Sequence, residues 1–225
     1  MFKVTVAICC YNQEEWLFRC LRSLANQTLS KDDFEVIVCN DNPSVPLDDI
    51  VDKMKPHLNI RLLNNDVNIG LPGSLNKIVK SALGRFFVRV DCDDYVSRHF
   101  LSMLSAYLEV NHECQAVFCD YAKVNFHGKK IGRFDASKDF IACGIMMDYE
   151  ALCAIGGYDD NFKMREGHDL HQRFSEKYKM EHLKVPLYRY RMHVHNRSEN
   201  ISEIAKYDKM LSKENSNHTQ KDENE

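Results

Sequence analysis

Three aspartates within four positions, Asp91, Asp93 and Asp94, follow the apolar run Arg85–Val90 (RFFVRV). Carboxylates this close repel one another, so something positive must offset them. Two of them directed at one point make an oxygen site suited to Mg²⁺ or Mn²⁺, which shares its remaining positions with water and substrate phosphates. The competing reading has Asp91 turning the chain while Asp93 and Asp94 sit solvated near a helix N-terminus, where negative charge is favoured. Two further polar clusters end apolar, β-branched runs: Cys10-Tyr11-Asn12 and Asn40-Asp41-Asn42. An aromatic and a carboxylate at neighbouring strand ends can stack on a nucleobase and accept its imino hydrogen. Equally, they can be an ordinary aromatic and a turn-forming Asp.

The elements that must position these groups follow from periodicity. Lys3–Cys10, Phe34–Cys39, Ile60–Leu63 and Arg85–Val90 read as buried strands. Helices are expected over Glu14–Asn26, with Trp16, Leu17, Cys20, Leu21 and Leu24 on one stripe, over Leu47–Met54, and over Ser74–Ala82 after a loop at Asn68–Gly73. Ser97 is the expected cap of a helix reaching Val110. Strands alternating with helices predict a mostly parallel sheet flanked by helices, and ligands of such sheets bind at the carboxyl ends of the strands, where the polar clusters lie. After Ala116–Cys119 the order changes. A hairpin is expected over Tyr121–Ile131, a strand over Ala142–Met147, a short helix capped by Asp148 and ending at Gly156-Gly157, and a helix over Asp169–Tyr178. Residues 199–225 read as a frayed helix and a polar tail.

Composition narrows the function. With 225 residues, 44% of them hydrophobic, the chain can bury a core of its own. Thirty Lys+Arg against 33 Asp+Glu give a formal charge of -3, and no basic stripe marks a nucleic-acid footprint. No apolar run of about 18 residues spans a bilayer, and the N-terminal run reads as a strand, not a signal peptide. Nine cysteines is an odd number without CxxC spacing, so free thiols in a reducing cytosol are expected.

The segments VAICCYNQEEWLFRCLRSLANQTLSKDDFEVIVCND, NIGLPGSLN, RFFVRVDCDDY, GGYDDNF, REGHDLHQRF and YRYRMHVHNRS, in this order, resemble a family 2 glycosyltransferase of the GT-A (Rossmann-like) fold. The likeness covers about Lys3–Ser198. It implies a single GT-A domain over 1–198, with a nucleotide-binding half (1–120) and a smaller acceptor-side β region (121–198), then the tail. It further implies a nucleotide-sugar donor, usually a UDP-sugar, a divalent metal (Mn²⁺ or Mg²⁺) and inversion at the anomeric carbon. Cys9, Tyr11 and Asp41 fall where the family contacts the base, with Asn12 and Glu14 beside them, although Cys9 replaces a more usual Thr or Pro. Asn68, Gly70 and Asn76 match the donor-side loop and helix. Asp91, Cys92, Asp93 and Asp94 match the DxD region, where the first Asp meets ribose or sugar and the later ones the metal, Asp93 serving both. His193 matches a late histidine that completes the metal site in some members.

One departure concerns the base. The family often carries Glu-Asp seven and six positions before an Arg, with that Asp as catalytic base. Here Glu166-Gly167-His168-Asp169 precedes Arg173, so Asp169 or Glu166 must take the role. On a helix Asp169 and Arg173 stand one turn apart, so Arg173 either orients a working carboxylate or forms a plain surface pair worth about 0.3–0.5 kcal/mol. His193 and His195 alternate with Met192 and Val194 and point to one side of an extended segment, one toward a metal, the other toward phosphate or acceptor with Arg191 or Arg197. His168 and His171 face an acceptor or mark a solvated helix start.

The function these features imply is sugar transfer to a glycan, lipid-linked or protein acceptor hydroxyl. A non-catalytic subunit keeping the fold is the alternative that Gly167 leaves open. A sugar-nucleotide nucleotidyltransferase would want a Gly-rich basic loop after the first strand, which CCYNQEE lacks. The expected place is cytoplasmic, and a lipid-linked acceptor would be met peripherally at the inner face of a membrane. Lys206, Lys209 and Lys213 either touch that anionic surface or form a solvated face.

Overall fold

A computed structural model describes residues 1–194 and 203–212. Among the described residues nine strands form one sheet in the order β3-β2-β1-β4-β8-β6-β9-β5, with β7 paired outside β6. The parallel half comprises β3 (Ile60–Asn64), β2 (Phe34–Asn40), β1 (Phe2–Cys10) and β4 (Gly84–Arg89). All seven residues of β2 are buried, as a strand covered on both faces requires. Alternation sorts the core. Val4, Val6, Ile8, Val36 and Val38 meet helices α1 (Glu14–Ala25), α2 (Asp48–Met54) and α4 (Phe100–Val110). Ala7, Ile37, Cys39 and Phe87 face α3 (Gly70–Val79), α5 (Tyr149–Ala154) and α6 (Glu166–Lys177). The expected mixed α/β fold with helices on both faces is present.

Beyond β4 the sheet is mixed. β8 (Ile145–Asp148) runs antiparallel to β4 and β6 (Ala116–Val124), and β6 forms the expected hairpin with β7 (Lys130–Phe134). β5 (Tyr95–Val96) and β9 (Met180–Arg191) are the strands that the periodicity did not reveal. β5 has two residues. β9 mixes charged residues with Pro186, which sits opposite Asp120 where the β6–β9 register shifts, so the missing N–H falls at an irregularity.

Some boundaries differ from expectation. α3 begins at Gly70, inside the expected loop, because Pro72 falls in the first turn, where an N–H would lack an intrahelical partner. Ser97 does not cap α4, whose N-cap is His99; the Ser97 N–H goes to the Leu187 carbonyl at 2.7 Å and its carbonyl accepts from Gln27 Nε2 at 2.8 Å. Residues 203–212 are helical and set Tyr207, with Ile204, Met210 and Leu211, against Phe162 and Met164. His195, Arg197, Lys213 and the tail from 213 lie outside the described residues. No helix among the described residues is long and apolar enough to cross a membrane, and all nine cysteines are free.

Candidate active site

A cleft of about 980 Å³ opens where β1, β2 and β4 end, within the size range of small-molecule sites. Its floor carries Cys9, Tyr11, Asn12, Asp41, Asn68, Gly70, Asp91, Cys92, Asp93 and Asp94, and its far wall Glu166. The sequence-chosen residues thus converge on one site. Four do not join its lining: Asn76, Glu14, Asp169 and His193, the last standing behind Asp93. Asn76 receives the Tyr158 N–H at 2.9 Å and donates to the Tyr158 carbonyl and Asp160, tying α3 to the 157–160 loop, and Glu14 stands on α1 away from the cleft.

Asp41, 3% exposed, is fixed by the start of α3. Its Oδ1 accepts from the Ile69 N–H (2.9 Å) and Asn65 Nδ2 (2.8 Å), and its Oδ2 from the Gly70 N–H (3.0 Å). A carboxylate from β2 therefore caps α3 across the sheet. Gly70 makes this possible at φ +80, a conformation open to glycine. Tyr11 is 49% exposed, free to offer its ring, and Asn12 holds the Asn42 amide at 2.6 Å. Burial, followed by the neighbouring Cys39, pushes the Cys9 thiol up, so Cys9 is a neutral wall.

Arg89, 6% exposed, organises the acid side. Its Nε and Nη2 hold the two oxygens of Asp91 at 2.5 and 3.1 Å, while Nη1 reaches Glu166 Oε1 at 2.8 Å. Burial pulls the guanidinium pKa down; Asp91 and then Glu166 outweigh it and leave the value well above normal. Asp93 Oδ2 meets Gln13 Nε2 at 3.0 Å and His193 Nε2 at 2.8 Å, with the His193 side chain 3% exposed behind it. Asp94 turns inward: its Oδ1 accepts the Arg191 N–H at 2.7 Å and its Oδ2 stands 3.9 Å from the Cys143 thiol. Burial, then the charges of Asp93 and Asp91, raise the Asp94 pKa well above the carboxylate range.

These donors test the fit of a divalent cation. Adjacent ligand atoms on an octahedral ion with bonds of about 2.1 Å stand about 3 Å apart, which the Asp93–His193 spacing matches. Asp91, Asp94 and Cys143 also bring ligand atoms within 4.8 Å of one another. That set suits a hard cation less well, since Arg89 occupies Asp91 and a neutral thiol is a soft ligand. Asp93 and His193 fit; Asp94 is aimed at the β9 backbone.

The structure places Asp169, the other candidate base, away from the cleft lining and against Arg173. It is 2% exposed and lies outside the cleft; Arg173 Nε reaches both its oxygens at 3.1 and 3.0 Å, and Nη2 reaches Oδ2 at 2.5 Å. The same guanidinium holds the carbonyls of Ile155 and Gly157, both at 2.9 Å, so the pair ties α6 to the end of α5 and is no plain surface pair. Glu166 lines the cleft. At Gly167 an added Cβ would stand 2.2 Å from the Ala142 Cβ. Arg165 opens α6 in a left-handed conformation at φ 66; it grips Asp208 at 2.8 Å and donates to His168 Nε2 at 2.9 Å. An arginine only donates, so His168 is neutral with its proton on Nδ1. Burial, then the Arg165 charge, lower its pKa to about 4.

The sequence reading missed Arg89, Gln13 and the 140–143 segment, all at the cleft. Arg89 had a signal: a cation in an apolar strand, two positions before Asp91 and so on its side of the pleat, needs buried partners.

The sequence profile of Glycosyl transferase family 2 matches residues 5–188. Among curated proteins, the poly(ribitol-phosphate) beta-N-acetylglucosaminyltransferase TarS of Staphylococcus aureus is 34% identical over 113 residues, covering 50% of this chain and 20% of that protein. The poly(ribitol-phosphate) beta-glucosyltransferase of Bacillus spizizenii is 36% identical over 101 residues, 44% of this chain and 16% of that protein. The matched stretch is thus at most a fifth of either relative's length. The crystal structure of S. aureus TarS 1-349 with UDP-GlcNAc superposes with a TM-score of 0.76 at 21% identity, covering 88% of this chain and 61% of that one. A Pyrobaculum calidifontis mannosyltransferase with GDP-Man and Mn²⁺ gives 0.67 at 18%, covering 87% and 58%. At such identities the likeness shows the fold.

Proposed function

The chain belongs to glycosyl transferase family 2, and from that premise we propose that it transfers a sugar from a nucleotide-sugar donor, UDP-linked first, to an acceptor hydroxyl with inversion. The observation that carries this reading is one cleft gathering a capped base-side carboxylate (Asp41), an Arg-held carboxylate pair (Asp91, Glu166) and the Asp93–His193 pair. The UDP-GlcNAc held by the S. aureus neighbour supports the donor class, and the relatives named for poly(ribitol-phosphate) make a polyol-phosphate chain the first acceptor to try.

In this reading Tyr11 stacks on the base, Asp41 accepts from it, and Cys9 and Asn12 pack its edge. Asn68 and Gly70 border the phosphates, and Asp91 and Cys92 meet ribose or sugar. Asp93 and His193 would hold a divalent ion, which would supply positive charge against the diphosphate. Glu166 is the general base. Arg89 engages its Oε1 and so aims the carboxylate to take the acceptor proton as the oxygen attacks the anomeric carbon. Residues 1–120 serve the donor and 121–198 the acceptor.

One observation favours a second reading, a partner-binding domain without turnover: Gly167 stands where the family often places its base, and Ala142 fills the space beside it. Two measurements separate the readings. UDP with Mn²⁺ at about 100 times its dissociation constant adds about 2.7 kcal/mol, a rise of about 5–10 °C in melting temperature, which Asp93→Ala should abolish. UDP release from UDP-sugars should fall about 10²–10⁴-fold in Glu166→Gln while UDP still binds. Binding without turnover in any variant would favour the second reading; no binding would overturn the first.

A further inference from the structure

Trp16, the chain's one tryptophan, lies in the first turn of α1, outside the cleft lining. Its indole stacks on the His193 imidazole, with ring centres 5.9 Å apart and planes at 21°. Phe126, from the β6–β7 turn, meets it edge-on at 4.8 Å. The Arg191 guanidinium lies over its face at 4.2 Å, with Tyr95 at 5.5 Å.

Arg191 is fully buried, and its bonds reach both the acid loop and the β6–β7 turn. Its N–H donates to Asp94 Oδ1, its Nε to the Asp93 carbonyl and its Nη1 to the Phe126 carbonyl, each at 2.7 Å. One guanidinium therefore joins the Asp93–Asp94 loop, the end of β9 and the β6–β7 turn, and the Trp16 face beneath it is its apolar seat. A cation over an indole is held more strongly once removed from water, which helps a buried arginine stay where its forked donors are needed. Two residues further on, His193 leaves β9 with its ring flat against the same indole and Nε2 on Asp93.

We infer that Trp16 and Arg191 are positioning residues for the divalent cation: by clamping His193 and the Asp93 backbone they set the affinity of a site that neither side chain touches. The inference rests on the metal-assisted reading above. Partners that orient metal ligands typically change affinity about 10–100-fold when removed. The same geometry makes Trp16 a reporter, since a paramagnetic ion at Asp93 and His193 would sit close enough to its indole to quench its emission.

The test is Mn²⁺ binding to the full chain with UDP present, read as free Mn²⁺ by electron paramagnetic resonance and, in tryptophan-containing proteins, as quenching of Trp16 emission. Trp16→Leu should raise the Mn²⁺ dissociation constant about 10-fold or more, with a circular dichroism spectrum like that of wild type. Trp16→Phe, which keeps a flat ring under Arg191 and beside His193, should stay within about 3-fold of wild type. If Trp16→Leu fails to fold, Arg191→Lys, which keeps the charge but loses the fork, is read against the same 10-fold expectation. A folded Trp16→Leu with wild-type Mn²⁺ affinity, beside an Asp93→Asn that has lost it, would overturn the inference and leave the metal site standing. A wild type that takes up no Mn²⁺ would overturn the metal-assisted reading and the inference together.

Discussion

Replacing Gly167 by Ala asks whether the 140–143 segment closes the position at which the family often places a carboxylate. The added Cβ would stand 2.2 Å from the Ala142 Cβ and 3.2 Å from its Cα, where contact between methyl carbons needs about 3.5–4 Å. Ala142 has no flexible end to withdraw, so the backbone of 140–143 or of α6 must move. Overpacking of this kind costs about 1–3 kcal/mol, and Gly→Ala inside a helix returns up to about 1 kcal/mol. Gly167→Ala should therefore lose about 1–2 kcal/mol. Ala142→Gly empties the contested space, so the Gly167→Ala, Ala142→Gly double variant should recover the strain. The cycle should show a coupling of about 2 kcal/mol, some 4–8 °C in melting temperature for a chain of this size. Urea unfolding of the four proteins at pH 7 measures it. Two single effects that simply add would refute the packing argument, and with it the reason for assigning the cleft carboxylate of α6 to Glu166.

Arg89→Met strands Glu166 and Asp91 beside an apolar chain and should cost about 3–5 kcal/mol in urea unfolding, part of it recovered by adding Glu166→Gln; a loss under about 1 kcal/mol would show that water already screens the pair. His168 contributes an acid-side loss of stability. Its folded pKa of about 4 lies below the usual 6.5, so the unfolded chain takes up a proton that the folded chain refuses. The cost is absent above pH 6.5 and grows as pH falls toward 4. His168→Gln should therefore lose about 1–3 kcal/mol less than wild type between those pH values, the range allowing for partial exposure of the ring, and parallel stability curves would refute it. Of the nine cysteines, Cys153 is exposed and Cys9 half-buried in the cleft, so an aromatic disulfide reagent should titrate Cys153 quickly and Cys9 more slowly in the native protein, and all nine in denaturant; a third reactive thiol in the native protein would contradict the burial.

The parallel half of the sheet was legible because buried strands announce themselves as short apolar runs and their polar ends mark the ligand edge. The mixed half was not, since β9 alternates charged and apolar residues and pairs through a shifted register around Pro186. Within the site, residue type and spacing singled out Asp41, Asp91, Asp93 and His193 as candidates but not the direction of their side chains. Asp94 looks equivalent to Asp93 in sequence, yet it faces inward to the Arg191 N–H. Asp169 and Glu166 looked interchangeable as bases, but on α6 they point to opposite fates, one clamped by Arg173 outside the cleft and the other inside it. Spacing along a helix says which residues share a face, and only the packed neighbours say what that face meets.

The crowding of carboxylates that first marks this chain is resolved differently at each residue. Asp41 is answered by the backbone N–H groups that open α3, and Asp91 with Glu166 by one buried guanidinium. Asp94 is answered by being pushed toward its neutral form in a buried place. Asp93 differs: its side-chain partners are the Gln13 amide and the His193 ring, neither of which carries a permanent positive charge. It is also the acid that lines the cleft with a histidine nitrogen at ligand spacing behind it. At Asp93 a positive charge brought in from outside therefore meets a carboxylate whose described side-chain partners carry no permanent charge. In the proposed reading, that is where the charge of a leaving diphosphate would be met.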